Sequence, residues 1–180
     1  MSARILVTGG NGYIGSILVP ELLKKRYHVT VLDTFSNNQS NFANLCINKQ
    51  FDVLKGDCRD YTTLKPLLKN CDYIIPLAAL VGAPLCNSDK IGATTTNYDA
   101  VKLLVNNCSN QQRILLPTTN SGYGAGKAEK IYTEESELNP ISLYGITKMK
   151  AENIVLEKDQ GLSFRLATVF GMSTSMRIDL

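Results

Sequence analysis

The chain has 180 residues, 44% of them hydrophobic and 19% charged, with a formal net charge of +3, which is enough for one domain with a substantial core. No apolar run reaches the ~20 residues of a membrane span, and Met1-Ser2-Ala3-Arg4 carries no leader pattern. Lys and Arg are scattered, the densest group being Lys24-Lys25-Arg26, so neither a membrane nor a nucleic-acid partner is expected, and the expected location is the cytoplasm. Cys46, Cys58, Cys71, Cys86 and Cys108 form no C-x-x-C pair and read as reduced packing thiols.

Residues 4–8 read as a buried strand and run directly into Gly9-Gly10-Asn11-Gly12-Tyr13-Ile14-Gly15. A strand, then glycines, then a helix brings backbone N–H groups and a helix N-terminus against a pyrophosphate. The spacing Gly9-x-x-Gly12-x-x-Gly15 is wider at its start than G-x-G-x-x-G. A helix is expected over 13–25, with Ile14, Ile17, Leu18 and Leu22 on its core face, and a strand over 27–32 ending at Asp33. A polar loop and a short weak helix near 41–46 follow. Next come a strand at 51–55, a helix over 61–69 carrying Leu64, Leu67 and Leu68, and a strand at 73–77.

The Gly-, Ala- and Pro-rich stretch 78–88 reads as irregular, followed by one long helix over 91–108 with Val101, Leu104, Val105 and Cys108 in helical spacing. A strand at 113–118, an irregular stretch at 122–139, a helix over 142–158 and a strand at 163–167 complete the pattern. This alternation predicts a doubly wound α/β domain, a parallel sheet with helices on both sides and right-handed crossovers. The loops after the fourth and fifth strands are long and leave the carboxyl edge, where such sheets bind ligands.

Asp33 lies 18 residues beyond Gly15, close to the position of an acidic residue that accepts hydrogen bonds from an adenosine ribose and repels a 2′-phosphate, which favours NAD over NADP. Asp57, with Cys58 beside it, leaves the third strand in the same way. Its carboxylate suits either an adenine amino group or a turn before the next helix. Tyr144 and Lys148 stand four apart on a predicted helix and share one face. A nearby ammonium favours the phenolate form and makes a tyrosine useful as a base.

Taken in this order, the motifs resemble the extended short-chain dehydrogenase/reductases, specifically the nucleotide-sugar epimerase/dehydratase family, from Arg4 to about Gly171. The family's T-G-G-x-G-[YF]-I-G is reproduced by Thr8 to Gly15, its S/T-x-x-x-Y-G by Thr119 to Gly124, and its P-x-S-x-Y-G-x-[ST]-K by Pro140 to Lys148. The resemblance implies bound NAD, held by Gly9, Gly12, Tyr13, Ile14, Gly15, Asp33, Asp57, Cys58, Leu77, Ala78, Ala79, Asn97, Tyr144 and Lys148. It implies Thr119, Tyr144 and Lys148 as catalytic residues: Tyr144 takes a proton from a sugar hydroxyl, Thr119 hydrogen-bonds that oxygen, and Lys148 binds the nicotinamide ribose. The substrate it implies is a nucleoside-diphosphate sugar, the metal requirement none, and a homodimer is left open.

Family 4,6-dehydratases place an acid or an acid pair just after the threonine. Here Asn120 and Ser121 stand there, which favours an epimerase over a dehydratase. The resemblance also divides the chain into an NAD-binding domain at 1–171 and the start of a truncated substrate-binding region at 172–180. An NAD-binding module without catalysis of its own, and a dehydratase or sugar reductase, remain alternatives.

Overall fold

Ile5, Leu6 and Val7 are consecutive, and a strand apolar on both sides must be covered on both. In the computed structural model, which describes residues 2–36, 41–126 and 131–175, β1 (Arg4–Thr8) lies at the middle of a six-stranded sheet. Its partners are β2 (His28–Asp33), β3 (Phe51–Lys55), β4 (Tyr73–Pro76), β5 (Arg113–Thr119) and β6 (Gly161–Leu166), in the order β3-β2-β1-β4-β5-β6. Every pairing is parallel. This is a Rossmann-type doubly wound sheet. Its strand order reverses between β1 and β4, where Thr8 lies opposite Pro76, and the carboxyl ends of the strands at such a switch point are where sheets of this kind bind ligands.

Two cores follow from the two faces. One holds Leu6, Leu32, Ile74, Ile114 and Leu116 under α2 (Tyr61–Leu68), α5 (Ala100–Asn107) and α6 (Leu143–Leu156). The other holds Ile5, Val7, Val29, Val31 and Ile75 under α1 (Gly15–Lys24) and Phe42. The core face of α1 differs from the expected stripe. Gly15, Ser16, Val19 and Leu23 are buried, whereas Ile17 is 47% exposed. The cause is the loop before it: a Cβ on Gly15 would lie 2.2 Å from the Gly10 carbonyl oxygen. The face containing Gly15 must therefore turn inward, and it takes the residues four and eight positions on with it.

Three further expectations need correction. The weak helix at 41–46 is a single 3₁₀ turn, Ala43–Leu45. The stretch 78–88 contains a short helix, α3 (Ala83–Ser88), with a proline in its first turn, where a missing N–H does no harm. The long helix begins earlier and is interrupted, with α4 (Lys90–Thr94), a π turn (Thr95–Asp99) and then α5. The Thr94 and Thr95 hydroxyls donate to the carbonyls of Lys90 and Ile91, diverting acceptors from the regular ladder at the point where it widens. The remaining elements match the sequence reading to within two residues at their ends.

Candidate active site

Gly9 has φ +72°, and a Cβ there would lie 2.4 Å from the Ala78 nitrogen, so only glycine lets the loop after β1 touch the segment after β4. Leu77, Ala78 and Ala79 are thus placed beside the glycine loop, with Leu77 N–H donating to the Thr8 carbonyl at 2.8 Å. Gly12 has an open flank, since a Cβ there would meet nothing closer than the Gly9 carbonyl at 3.3 Å. Among the described residues, the main-chain N–H groups of Tyr13 and Ile14 find no protein acceptor. Open glycine surface and orphan donors at the start of α1 fit a diphosphate.

Asp33 ends β2 beside this loop. One carboxylate oxygen accepts from the Asn11 N–H and the other from the Phe35 N–H, each at 2.8 Å. A carboxylate has about four acceptor positions, so capacity for a ribose diol remains. Asn11, buried at 2%, is a site residue that sequence reasoning missed. Its side-chain and main-chain oxygens accept from the Asn41 N–H and the Asn41 side-chain amide, which locks the glycine loop to the segment after β2.

Asp57 is engaged by Arg59, whose guanidinium reaches it at 2.6 Å and also reaches the Thr95 hydroxyl at 3.1 Å. The Arg59 hydrogen bond holds the Asp57 carboxyl below its usual range. The N-cap of α2 is Asp60, which accepts from the Thr62 N–H. Burial, assisted by the Asp57 charge, pushes the Cys58 thiol up to about 11, and the side chain lies in the core. Only its main chain is left to face a cofactor.

Asn97 sits in the π turn at 1% exposure. Its amide oxygen accepts from the Leu80 N–H at 2.8 Å and its amide nitrogen donates to the Leu80 carbonyl at 2.9 Å. The same nitrogen lies 3.3 Å from the Thr147 hydroxyl. One side chain therefore pins the loop after β4 to the helix carrying Lys148. Such π turns occur often at functional sites because they aim a side chain that a regular helix would place elsewhere. Cys86 is fully buried and donates to the Leu80 carbonyl, so it packs beneath this loop.

Thr119 ends β5, and its hydroxyl accepts from the Ser121 N–H at 3.1 Å, capping the 3₁₀ turn Asn120–Tyr123. The first turn of α6 packs on this turn, and a Cβ on Gly145 would lie 3.1 Å from the Ser121 carbonyl oxygen. The glycine after Tyr144 is what allows that approach. Ser142 caps α6 by accepting from the Gly145 N–H. Tyr144 is half-buried, and Lys148, one turn on, is 5% exposed. Burial pulls the Lys148 ammonium down to about 8, with the negative charge of Glu152 opposing the fall.

Two features were not anticipated from sequence. Glu152 and Arg165 form a buried ion pair at 2.6 Å behind the site, and the pattern of α6 could have hinted at it, since a charged residue stands four positions past Lys148 on the face that must be buried. The segment after β6 folds back over the glycine loop: the Tyr13 hydroxyl donates to the Gly171 carbonyl at 2.7 Å and the Ser173 hydroxyl to the Tyr13 carbonyl at 3.0 Å. The Ser175 hydroxyl donates to the Asn11 carbonyl. Residues 176–180, the remainder of the region expected to begin at 172, lie outside the described residues.

Gly12, Tyr13, Ile14 and Asp33 therefore fit a dinucleotide at the carboxyl edge of β1 and β2, while Thr119 ends β5 and Tyr144 and Lys148 stand on the first turns of α6, which packs on the turn after Thr119. A surface cavity of about 390 Å³ lined by Arg4, Lys65, Lys69 and Asp72 lies at the opposite, amino edge, where open sheets of this kind do not carry their chemistry.

The model of the NAD dependent epimerase/dehydratase family matches residues 5–178. The uncharacterized UDP-glucose epimerase YtcB of Bacillus subtilis (strain 168) is 33% identical over 93% of this chain and 57% of its own. A dTDP-D-glucose 4,6-dehydratase of Dictyostelium discoideum is 31% identical over 84% of this chain and 39% of its own. Among solved structures, the UDP-glucuronic acid 4-epimerase of Bacillus cereus in complex with NAD superposes with a TM-score of 0.84 at 29% identity, covering 98% of this chain and 59% of that one. The chain thus spans about half the length of the relatives it matches. The chain belongs to the NAD dependent epimerase/dehydratase family.

Proposed function

We propose that this chain is the cofactor-holding and catalytic part of an NAD-dependent nucleotide-sugar epimerase. The observation that carries the reading is the packing of α6 on the turn after β5. It sets Tyr144 and the buried Lys148 on one helix face while Gly145 holds the helix start against the turn that carries Thr119. A glycine loop with orphan N–H groups and an adjacent Asp33 complete the cofactor side.

In this reading Gly9, Gly12, Tyr13, Ile14 and Gly15 cradle the diphosphate, Asp33 takes the adenosine ribose, and Asp57 with the Cys58 main chain flanks the adenine. Leu77, Ala78 and Ala79 line the path toward the nicotinamide, with Asn97 holding that path in place. Bound NAD supplies an acceptor that takes a hydride and returns it. Lys148 binds the nicotinamide ribose and, as a cation one turn away, favours the Tyr144 phenolate. Tyr144 removes the proton from a sugar hydroxyl, and Thr119 holds the same oxygen. Asn120 and Ser121 supply no carboxyl group for removing water, which favours epimerisation over dehydration.

The relatives named as acting on UDP- and dTDP-sugars support a nucleoside-diphosphate sugar as substrate. Residues 1–171 are then the NAD-binding domain, 172–180 begin the substrate-binding region, and self-pairing through the α4–α5 and α6 helices gives a homodimer. A second reading, an NAD-binding module without turnover of its own, is favoured by the span of about half the length of the relatives.

Replacing Tyr144 by Phe decides between the two. In the first reading, epimer formation from UDP- or dTDP-sugars falls by at least a hundredfold, the typical worth of a general base, while NAD affinity changes little. Retention of full turnover would sink the assignment of Tyr144. Binding of NAD by the parent chain with no turnover of any nucleotide sugar gives the second reading.

A further inference from the structure

Among the described residues, Glu152 is the one charged side chain among the largest fully buried ones, at 1% exposure, and no step proposed above uses it. Arg165 of β6 donates to one of its carboxylate oxygens from Nε at 2.8 Å and from Nη2 at 2.6 Å. The Thr118 hydroxyl of β5 and the Ser163 hydroxyl of β6 both donate to the other oxygen at 2.8 Å. Arg165 extends the network through Nη1 to the Tyr123 hydroxyl at 3.2 Å and the Glu134 carbonyl at 2.9 Å. Burial pushes the Glu152 carboxyl up, but the hydrogen bonds from Arg165, Thr118 and Ser163 outweigh it and hold it below its usual range.

The network lies directly behind the site. Thr118 precedes Thr119, Tyr123 closes the turn that Thr119 caps, and Glu152 is one helical turn beyond Lys148 on the buried face of α6. Desolvating two charges is expensive, and apolar residues of the same volume commonly stabilise a core as well or better. Stability alone is therefore a poor reason for an ion pair here.

Among the elements packed on α6, the other titratable groups near this level are Cys86, Tyr98, Asp99, Tyr123 and Arg165. Asp99 is exposed, Cys86 is bonded to Leu80, and Tyr98 lies beneath Lys102 and Lys150. Tyr123 and Arg165 are bonded to each other. Glu152 stands four residues past Lys148, and both are among the buried residues of α6, so its negative charge favours the Lys148 ammonium.

We propose that Glu152 is a positioning residue for the site: it fixes α6 against the carboxyl ends of β5 and β6 and supplies the buried counter-charge for the Lys148 ammonium. The functional part rests on the role given to Lys148 above. The counter-charge can be measured without it.

The experiment follows the titration of Lys148 by carbon NMR of the ¹³Cε-lysine-labelled 180-residue chain, its signal assigned by loss in Lys148→Arg. In Glu152→Gln, which keeps the shape and loses the charge, the Lys148 midpoint moves down by about one pH unit from the parent. NAD affinity then equals that of the parent near pH 6 and is several-fold weaker near pH 8. A midpoint that stays in place while the melting temperature falls makes Glu152 a brace only and overturns the proposal. If Glu152→Gln does not fold, the double variant Glu152→Gln, Arg165→Met removes both charges of the pair together, and a smaller downward movement is expected because the repulsion from Arg165 is lost as well. A moved midpoint in a chain that binds no NAD removes the proposed function and leaves the counter-charge standing. Normal NAD binding with an unmoved midpoint does the reverse.

Discussion

In the proposed function, Lys148 is a single residue that trades stability for chemistry. An ammonium at 5% exposure loses most of its hydration, and its pKa falls from 10.5 to about 8. The folded chain therefore binds fewer protons than the unfolded chain between these two values, so stability rises with pH across that window. Below about 8 the full penalty of burying the charge is present; above the unfolded value it is gone. Lys148→Met should accordingly stabilise the chain at pH 7 by roughly 2–3 kcal/mol, with the gain shrinking toward pH 10, while abolishing the site's function. Urea unfolding of both proteins at the two pH values checks this, and a destabilised variant at pH 7 would contradict it. Glu152 has the opposite sign: its carboxyl is held low, so its stabilisation is present above the ordinary carboxylate range and lost as pH falls through the depressed value.

At the level of elements, two helices start with side-chain caps of the same kind but serve different ends. Asp60 caps α2 and Ser142 caps α6, and either change to Ala should cost about 1 kcal/mol. Only α6 carries Tyr144 and Lys148, and its first turn rests on the Thr119 turn through Gly145. Ser142→Ala is therefore expected to weaken NAD binding and turnover as well as stability, whereas Asp60→Ala lowers the melting temperature alone. Equal functional loss in both would mean that the cap of α6 has no special bearing on the site. The start of α6 was readable from Ser142 and the Tyr144/Lys148 spacing. The π turn was not, because nothing in the local pattern of Thr94-Thr95-Thr96-Asn97 says that the helix must widen until Leu80 is present to be held by Asn97.

For the molecule as a whole, the two faces of the sheet are unequally covered. Leu162 and Phe164 of β6 are 48% and 44% exposed and share a face with their register partners Leu115 and Pro117, the face on which α1 packs farther along the sheet. Among the described residues no membrane-spanning helix accompanies this apolar strip. The proposed NAD site lies at the carboxyl ends of β1 and β4, and the segment 171–175 is bonded to its glycine loop. A ligand held there should stabilise the whole chain. At a free NAD concentration a hundredfold above its dissociation constant the gain is about 2.7 kcal/mol, visible as a rise in melting temperature. An unchanged melting temperature at millimolar NAD would mean that this chain does not hold the cofactor by itself.

The parallel sheet, the glycine turn and the face shared by Tyr144 and Lys148 were determined by the sequence alone, because alternating strands and helices, positive-φ glycines and four-residue spacings are local properties of the chain. The packing direction of α1, the fixing of the loop after β4 by Asn97, and the buried Glu152–Arg165 pair behind Lys148 were decided only by tertiary structure. Each depends on residues from distant strands meeting in a low-dielectric core, where a contact that no local pattern encodes determines which side chains can be buried.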